Sequence, residues 1–134
     1  STLLLAAHAK RTAVVRQLLA DSRVDVNVTD RSGFTSLHAA VISGNSAAVK
    51  LLLDDPRVNV NAISTNSIPT TPLHNAVVAG DYTVVELLLE DPRVNVHAKT
   101  ANGVTALDLA THVEQKTGDS AVLNLLRQKS AAKA

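Results

Sequence analysis

Five histidines, His8, His38, His74, His97 and His112, are the side chains best able to do chemistry in this chain of 134 residues. An imidazole can act as a general base, a proton relay or a metal ligand, but each use needs partners. No two of the five stand at the close spacing that places two ligands on one metal. The chain has no Gly-rich phosphate loop, no Gly-x-Ser-x-Gly turn for a serine nucleophile and no His-Glu-x-x-His helix. Its five glycines (Gly33, Gly44, Gly80, Gly103 and Gly118) are all accounted for by turns. Asn27-Val28-Thr29 matches a glycosylation sequon, yet it lies inside a repeated pattern and reads as coincidence. The expectation is therefore a protein that is not an enzyme, with no catalytic, cofactor-binding or metal site.

Composition narrows the class further. Hydrophobic residues make up 46% of the chain, enough for a core, but the aromatics are limited to Phe34 and Tyr82, and Met, Trp and Cys are absent. Leu, Val, Ile and Ala suit thin layers of small helices better than a globule around an aromatic cluster. A net charge of +1 argues against a nucleic-acid partner held through phosphates. No apolar run approaches the roughly 20 residues that span a bilayer, so no membrane partner is expected. Ser1-Thr2-Leu3-Leu4-Leu5 lacks the basic segment of a secretory signal, and with no initiating Met the chain reads as processed or as an excised piece. Freedom from cysteine fits a cytoplasmic, intracellular setting.

The elements that hold these residues announce themselves as a repeat. Leu18-Leu19-Ala20-Asp21-Ser22-Arg23-Val24-Asp25-Val26-Asn27 returns 34 residues later as Leu52-Leu53-Asp54-Asp55-Pro56-Arg57-Val58-Asn59-Val60-Asn61. It returns after a further 36 as Leu88-Leu89-Glu90-Asp91-Pro92-Arg93-Val94-Asn95-Val96-His97. Such a period marks a solenoid, in which each unit buries its apolar face only against its neighbours. Each unit carries two apolar segments at helical spacing, such as Leu37–Ser43 and Ala47–Leu53. Thr35 and Thr71 are natural N-caps, Pro72 suits the first helical position, and Gly44 and Gly80 suit the left-handed terminus.

Thr71-Pro72-Leu73-His74, followed by Ala76, Gly80, Leu87-Leu88 and Val94-Asn95-Val96, resembles the ankyrin-repeat signature. Thr35-Ser36-Leu37-His38 and Thr105-Ala106-Leu107-Asp108 are weaker copies. The resemblance covers the whole chain as about four repeats, near 1–29, 30–63, 64–99 and 100–134, the first incomplete and the last a C-terminal cap. It implies an all-α solenoid of stacked antiparallel helix pairs with projecting β-hairpin loops and a concave face. It also implies structural roles for His38 and His74, bonded to the capping Thr and nearby backbone. His97, in the place of Asn27 and Asn61, should bond locally, and Asp108 should act as a cap. His8 and His112, in the first and fourth units, lie too far apart to share a metal.

Departures from the family pattern carry expectations of their own. Lys10 occupies a helix-terminating Gly position. Residues 63–70 lengthen the third hairpin by two, and about four residues are inserted near Glu114–Thr117. Asn75 replaces an apolar residue and should bond to hairpin backbone, while Arg127 replaces the Leu19, Leu53 and Leu89 position and ends the stack.

The resemblance places partner-binding residues at the hairpin tips and on the exposed side of each first helix. These are Arg31, Ser32, Phe34 and Ile42 in the second unit, and Ile63, Asn66, Ile68, Thr70 and Val78 in the third. Lys99, Asn102, Val104 and His112 follow in the fourth. Phe34, Ile42, Ile68, Val78 and Val104 would form one apolar strip, with Phe34 as its hot spot. The expected function is a cofactor-free interaction module, or scaffold, for a protein ligand. The alternative is a structural spacer or homodimerising segment of a larger protein whose activity lies elsewhere. A monomer is expected, with Leu3-Leu4-Leu5 as the face for association otherwise. The Asp-Pro-Arg-Val-Asn-Val-Asn variant resembles repeats common in bacterial and protist proteins, some of which are exported into host cells as effectors.

Overall fold

The computed structural model describes residues 2–133, with side chains to residue 131. Ser1 and Ala134, the ends expected for the first and fourth units, lie outside the described residues. Among the described residues eight helices follow one another: α1 (Thr2–His8), α2 (Thr12–Ala20), α3 (Ser36–Ile42), α4 (Ser46–Leu53), α5 (Pro72–Ala79), α6 (Tyr82–Glu90), α7 (Ala106–Thr117) and α8 (Ala121–Lys133). Turns of two or three residues fold each odd-numbered helix back on the even one after it. Stacking then proceeds in two rows, α1 on α3 on α5 on α7 and α2 on α4 on α6 on α8.

The core is a thin ribbon between the rows. Small residues of the first helices (Ala7, Ala40, Ala76 and Ala106) are buried, letting neighbouring backbones approach closely. The second helices fill the remaining space with Val15, Val49, Leu52, Val84, Val85, Leu88 and Leu126, all inaccessible to solvent. Truncating Leu52 or Leu88 to Ala should cost about 2–5 kcal/mol, the usual range for a buried leucine. At the expected terminating position Arg127 is exposed, while Leu126 beside it remains in the core.

Helix ends follow the capping chemistry of the sequence. Thr35, Thr71 and Thr105 each cap a first helix in a reciprocal box completed by His38, His74 and Asp108. Asn45 and Asp81 cap α4 and α6, whereas Arg11 at the start of α2 makes no side-chain cap. Lys10 adopts φ 61°, the left-handed conformation that Gly44, Gly80 and Gly118 supply in the later units. The extra residues before Gly118 lengthen α7 itself, which has 12 residues against seven or eight in the other first helices.

The loops between pairs close as hairpin-like turns whose arms form no strands among the described residues. Among the described residues the only bridge outside helices is Lys99 with Thr105, and no strand forms. Arms of two or three residues are too short to build a ladder, and the loops close by turns instead. Asp30 N–H donates to Phe34 O at 3.0 Å and Thr100 N–H to Val104 O at 2.8 Å. The third unit's loop, between α4 and α5, closes two residues later, Ser64 N–H to Thr70 O at 3.0 Å, with buried Ser64 also accepting from Thr70 N–H. Neighbouring tips touch: Thr65 N–H donates to Ser32 O at 2.8 Å, and a Cβ on Gly33 would lie 2.5 Å from the same amide nitrogen.

Two polar ladders tie consecutive units through the repeated phrase. Asn27 donates from its amide to Arg57 O and accepts from Asn59 N–H. Asn61 does the same to Arg93 O and Asn95 N–H. Arg57, paired with Asp55, donates to Leu19 O at 2.7 Å, the carbonyl one residue before the end of α2. Arg93, paired with Asp91, donates to Leu53 O, the last residue of α4, at 2.6 Å. These guanidiniums satisfy carbonyls that a helix leaves open at its C-terminus and favour its negative end. Arg23 keeps the same pairing with Asp21 but remains 89% exposed.

Candidate interaction surface

His38 and His74 sit in the row of first helices, buried, with both ring nitrogens engaged. His38 Nδ1 accepts from Thr35 N–H at 3.1 Å, and Nε2 bonds Thr70 O of the next unit at 3.0 Å. His74 Nδ1 accepts from Thr71 N–H at 3.0 Å, and Nε2 bonds Ala98 O at 3.0 Å. An Nδ1 that accepts an amide proton places the ring proton on Nε2, where a carbonyl can receive it. Burial pushes both imidazoles below their ordinary pKa, outweighing the opposite pull of the carbonyls. Both are neutral structural groups rather than exposed bases: His38 ties its unit to the next, and His74 holds the loop that leads to α7.

The other polar candidates are occupied or separate. Asp108 stands one helical turn before His112, but its carboxylate turns back to accept from Thr105 N–H at 3.0 Å. That backbone bond, then the Thr105 hydroxyl, holds it below the usual carboxylate range. His97 is exposed, its backbone N–H bonded to Asn95 Oδ1 as Asn61 is to Asn59. Among the described residues no group of three His, Asp or Glu side chains comes together to hold a metal ion. No helix among them is long and apolar enough to cross a membrane.

The residues expected to bind a partner divide into several kinds. Ile42 on α3, Val78 on α5, and Ile63 and Ile68 on the third loop are exposed. So are Arg31, Lys99, Asn102 and His112. Thr70 is half-buried and structural, its carbonyl receiving His38 and its hydroxyl donating to Asn75 at 2.7 Å. Asn75 therefore bonds to a hairpin side chain rather than to hairpin backbone. Asn66 accepts from the Ser64 hydroxyl, and Ser32 is tied by Asp30 and Thr65. Phe34 and Val104 are half-buried. Phe34 stands beneath the tip with its ring 5.4 Å from that of His38, tilted by 42°.

The apolar strip is divided between separate hollows. Phe34 and Ile42 line one of about 300 Å³ with Leu4, Leu5, His8, Asp30 and Ala39. Val78 lines another, of about 260 Å³, between α5 and the last helix pair. Ile68 and Val104 line neither. Leu5, His8 and Asp30 escaped the expected set because the hollow exists only once α1 has packed on α3. Their one sequence signal is position, since Leu5 and Ile42 fall on first helices and Asp30 opens a turn. Leu3 is buried and Leu4 half-buried, leaving Leu5, at 66% exposure, as the exposed leucine of the expected association face.

Two family models match the chain: one described as ankyrin repeats (3 copies) over residues 1–64, the other as ankyrin repeats (many copies) over residues 63–110. None of the curated proteins compared with the chain matches it.

Proposed function

We propose that this chain, which belongs to the ankyrin-repeat family, is a non-catalytic module that receives a protein ligand on its first helices and loop tips. Ankyrin repeats are generally protein–protein interaction modules and generally non-catalytic. One observation carries the placement of the surface. Of the large exposed apolar side chains among the described residues, Leu5, Ile42, Ile63, Ile68 and Val78 lie on first helices or the third loop, and Tyr82 alone lies on a second helix. Apolar surface gathered on one row and spared from the stack is the kind that marks an interaction site.

The four helix pairs act as one unit, near 1–29, 30–63, 64–99 and 100–134, with the last as a cap. It works as a cytoplasmic monomer and needs no cofactor, because the surface is formed by the stack itself. Quantitative affinity capture tests the reading, comparing the native chain with Ile42→Glu/Val78→Glu and with Ala47→Glu on α4 as control. A ligand lost from the double variant and kept by the control supports it. Retention by both variants, with folding intact, removes it.

A further inference from the structure

The hollow between α1 and α3 combines a mostly apolar wall with a single carboxylate. Five of its lining residues are apolar, and Leu5 and Ile42 are largely open to solvent. With histidine taken as neutral, Asp30 is the one charged side chain among the seven. Its carboxylate is fixed, because Oδ1 accepts from Ser32 N–H at 2.8 Å and from Phe34 N–H at 3.0 Å. Among the described residues no group hydrogen-bonds Oδ2, so an ordered anionic oxygen stands beside an apolar wall. A volume near 300 Å³ lies at the foot of the range of about 300–1,000 Å³ for small-molecule sites. That space suits one medium side chain better than a cofactor.

We infer that this hollow binds a protein segment presenting an aliphatic side chain next to a lysine or arginine. The aliphatic group enters between Leu5, Phe34 and Ile42, and the cation pairs with Asp30. The inference rests on the interaction-module reading above and narrows it to one partner chemistry. An acidic segment would meet Asp30 with repulsion, and a purely apolar one would leave the carboxylate facing a dry contact.

The test uses random linear peptides displayed on phage and selected on the intact chain, with the dominant peptide synthesised for titration. Selected sequences should place Leu, Ile or Val beside Lys or Arg. Asp30→Asn keeps an acceptor for both backbone bonds and removes only the charge. It should weaken binding about fivefold at low salt, the scale of one exposed ion pair, with the difference closing at high salt. Ile42→Arg should abolish binding while circular dichroism stays native. Peptides with an acid beside the aliphatic residue would overturn the inference, as would failure to enrich any peptide on this preformed site. If Asp30→Asn and Ile42→Arg have no effect but Val78→Arg abolishes binding, the hollow is excluded and the broader surface reading stands. If none of the three matters, both fall.

Discussion

Ser36 occupies the first position of α3, the place that Pro72 fills in α5, and it is the weak copy of that position. Its residue is fully buried, and its hydroxyl has no hydrogen-bond partner. A buried hydroxyl left unpaired costs about 1–3 kcal/mol. Proline at the first helical position loses nothing through its missing N–H, and a compatible X→Pro change adds about 0.4–1 kcal/mol by restricting the unfolded chain. Compatibility is visible in the preceding residue: Thr35 has φ −86°, ψ 175° and Thr71 before Pro72 has φ −89°, ψ 166°. Allowing for some repacking around the ring, Ser36→Pro should stabilise the fold by about 1–2 kcal/mol, or roughly 5 °C in midpoint for a chain of this size. Thermal and urea unfolding by far-ultraviolet circular dichroism would measure it, with Ser36→Ala isolating the hydroxyl. The reasoning fails if Ser36→Pro lowers the midpoint, or if Ser36→Ala destabilises by more than about 1 kcal/mol, since a lost hydrogen bond is worth that much.

Other consequences can be measured in the same way. Lys10→Gly relieves a left-handed non-glycine residue and should stabilise the fold by up to about 1 kcal/mol, read as a higher urea midpoint, so a lower midpoint would show that the lysine side chain matters. Asn61→Ala removes both bonds of its bridge between units and should cost about 1–3 kcal/mol. Among the arginines, truncation to Ala should hurt stability most at Arg93, less at Arg57 and least at Arg23, following the number of helix and loop carbonyls each reaches. Because His38 and His74 have folded pKa values below the 6.5 of a free imidazole, the unfolded chain binds more protons in acid. Their stability contribution is therefore full above about pH 6.5 and is lost as pH falls through the lowered folded values, reinforced by protonation of an Nδ1 that accepts an amide proton. A second loss should follow below the ordinary Asp range near 3.8, as the Arg-paired Asp21 and Asp55 protonate. A urea midpoint flat between pH 7.5 and 5 would contradict the first step.

Local chemistry made the stack legible. Thr caps, a first-position proline and left-handed glycines specify helix ends within a few residues, and the period of the Leu-Leu…Val-x-Val phrase specifies how units pair. The proposed interaction surface was legible only as a row of positions. Phe34 looks like a free tip residue in sequence because its contact with His38 depends on how the turn from Asp30 folds over α3. The hollow beside it needs α1, whose Leu5 belongs to another unit. The loop arms, only two or three residues long, form no strands among the described residues, while the buried Val58, Val60, Val94 and Val96 anchor the chain beside them to the core. The Asn and Arg ladders were present in the repeated phrase from the start. Each bond in them spans 30 to 40 residues, so recurrence alone could not say what they join.

Hydrogen exchange on a complex with a captured protein ligand tests the central claim most directly. Protection on binding should fall on α3, α5 and the loops at 30–34 and 63–70, with α2, α4 and α6 unchanged. Protection confined to the second helices would place the ligand on the opposite side and contradict the account.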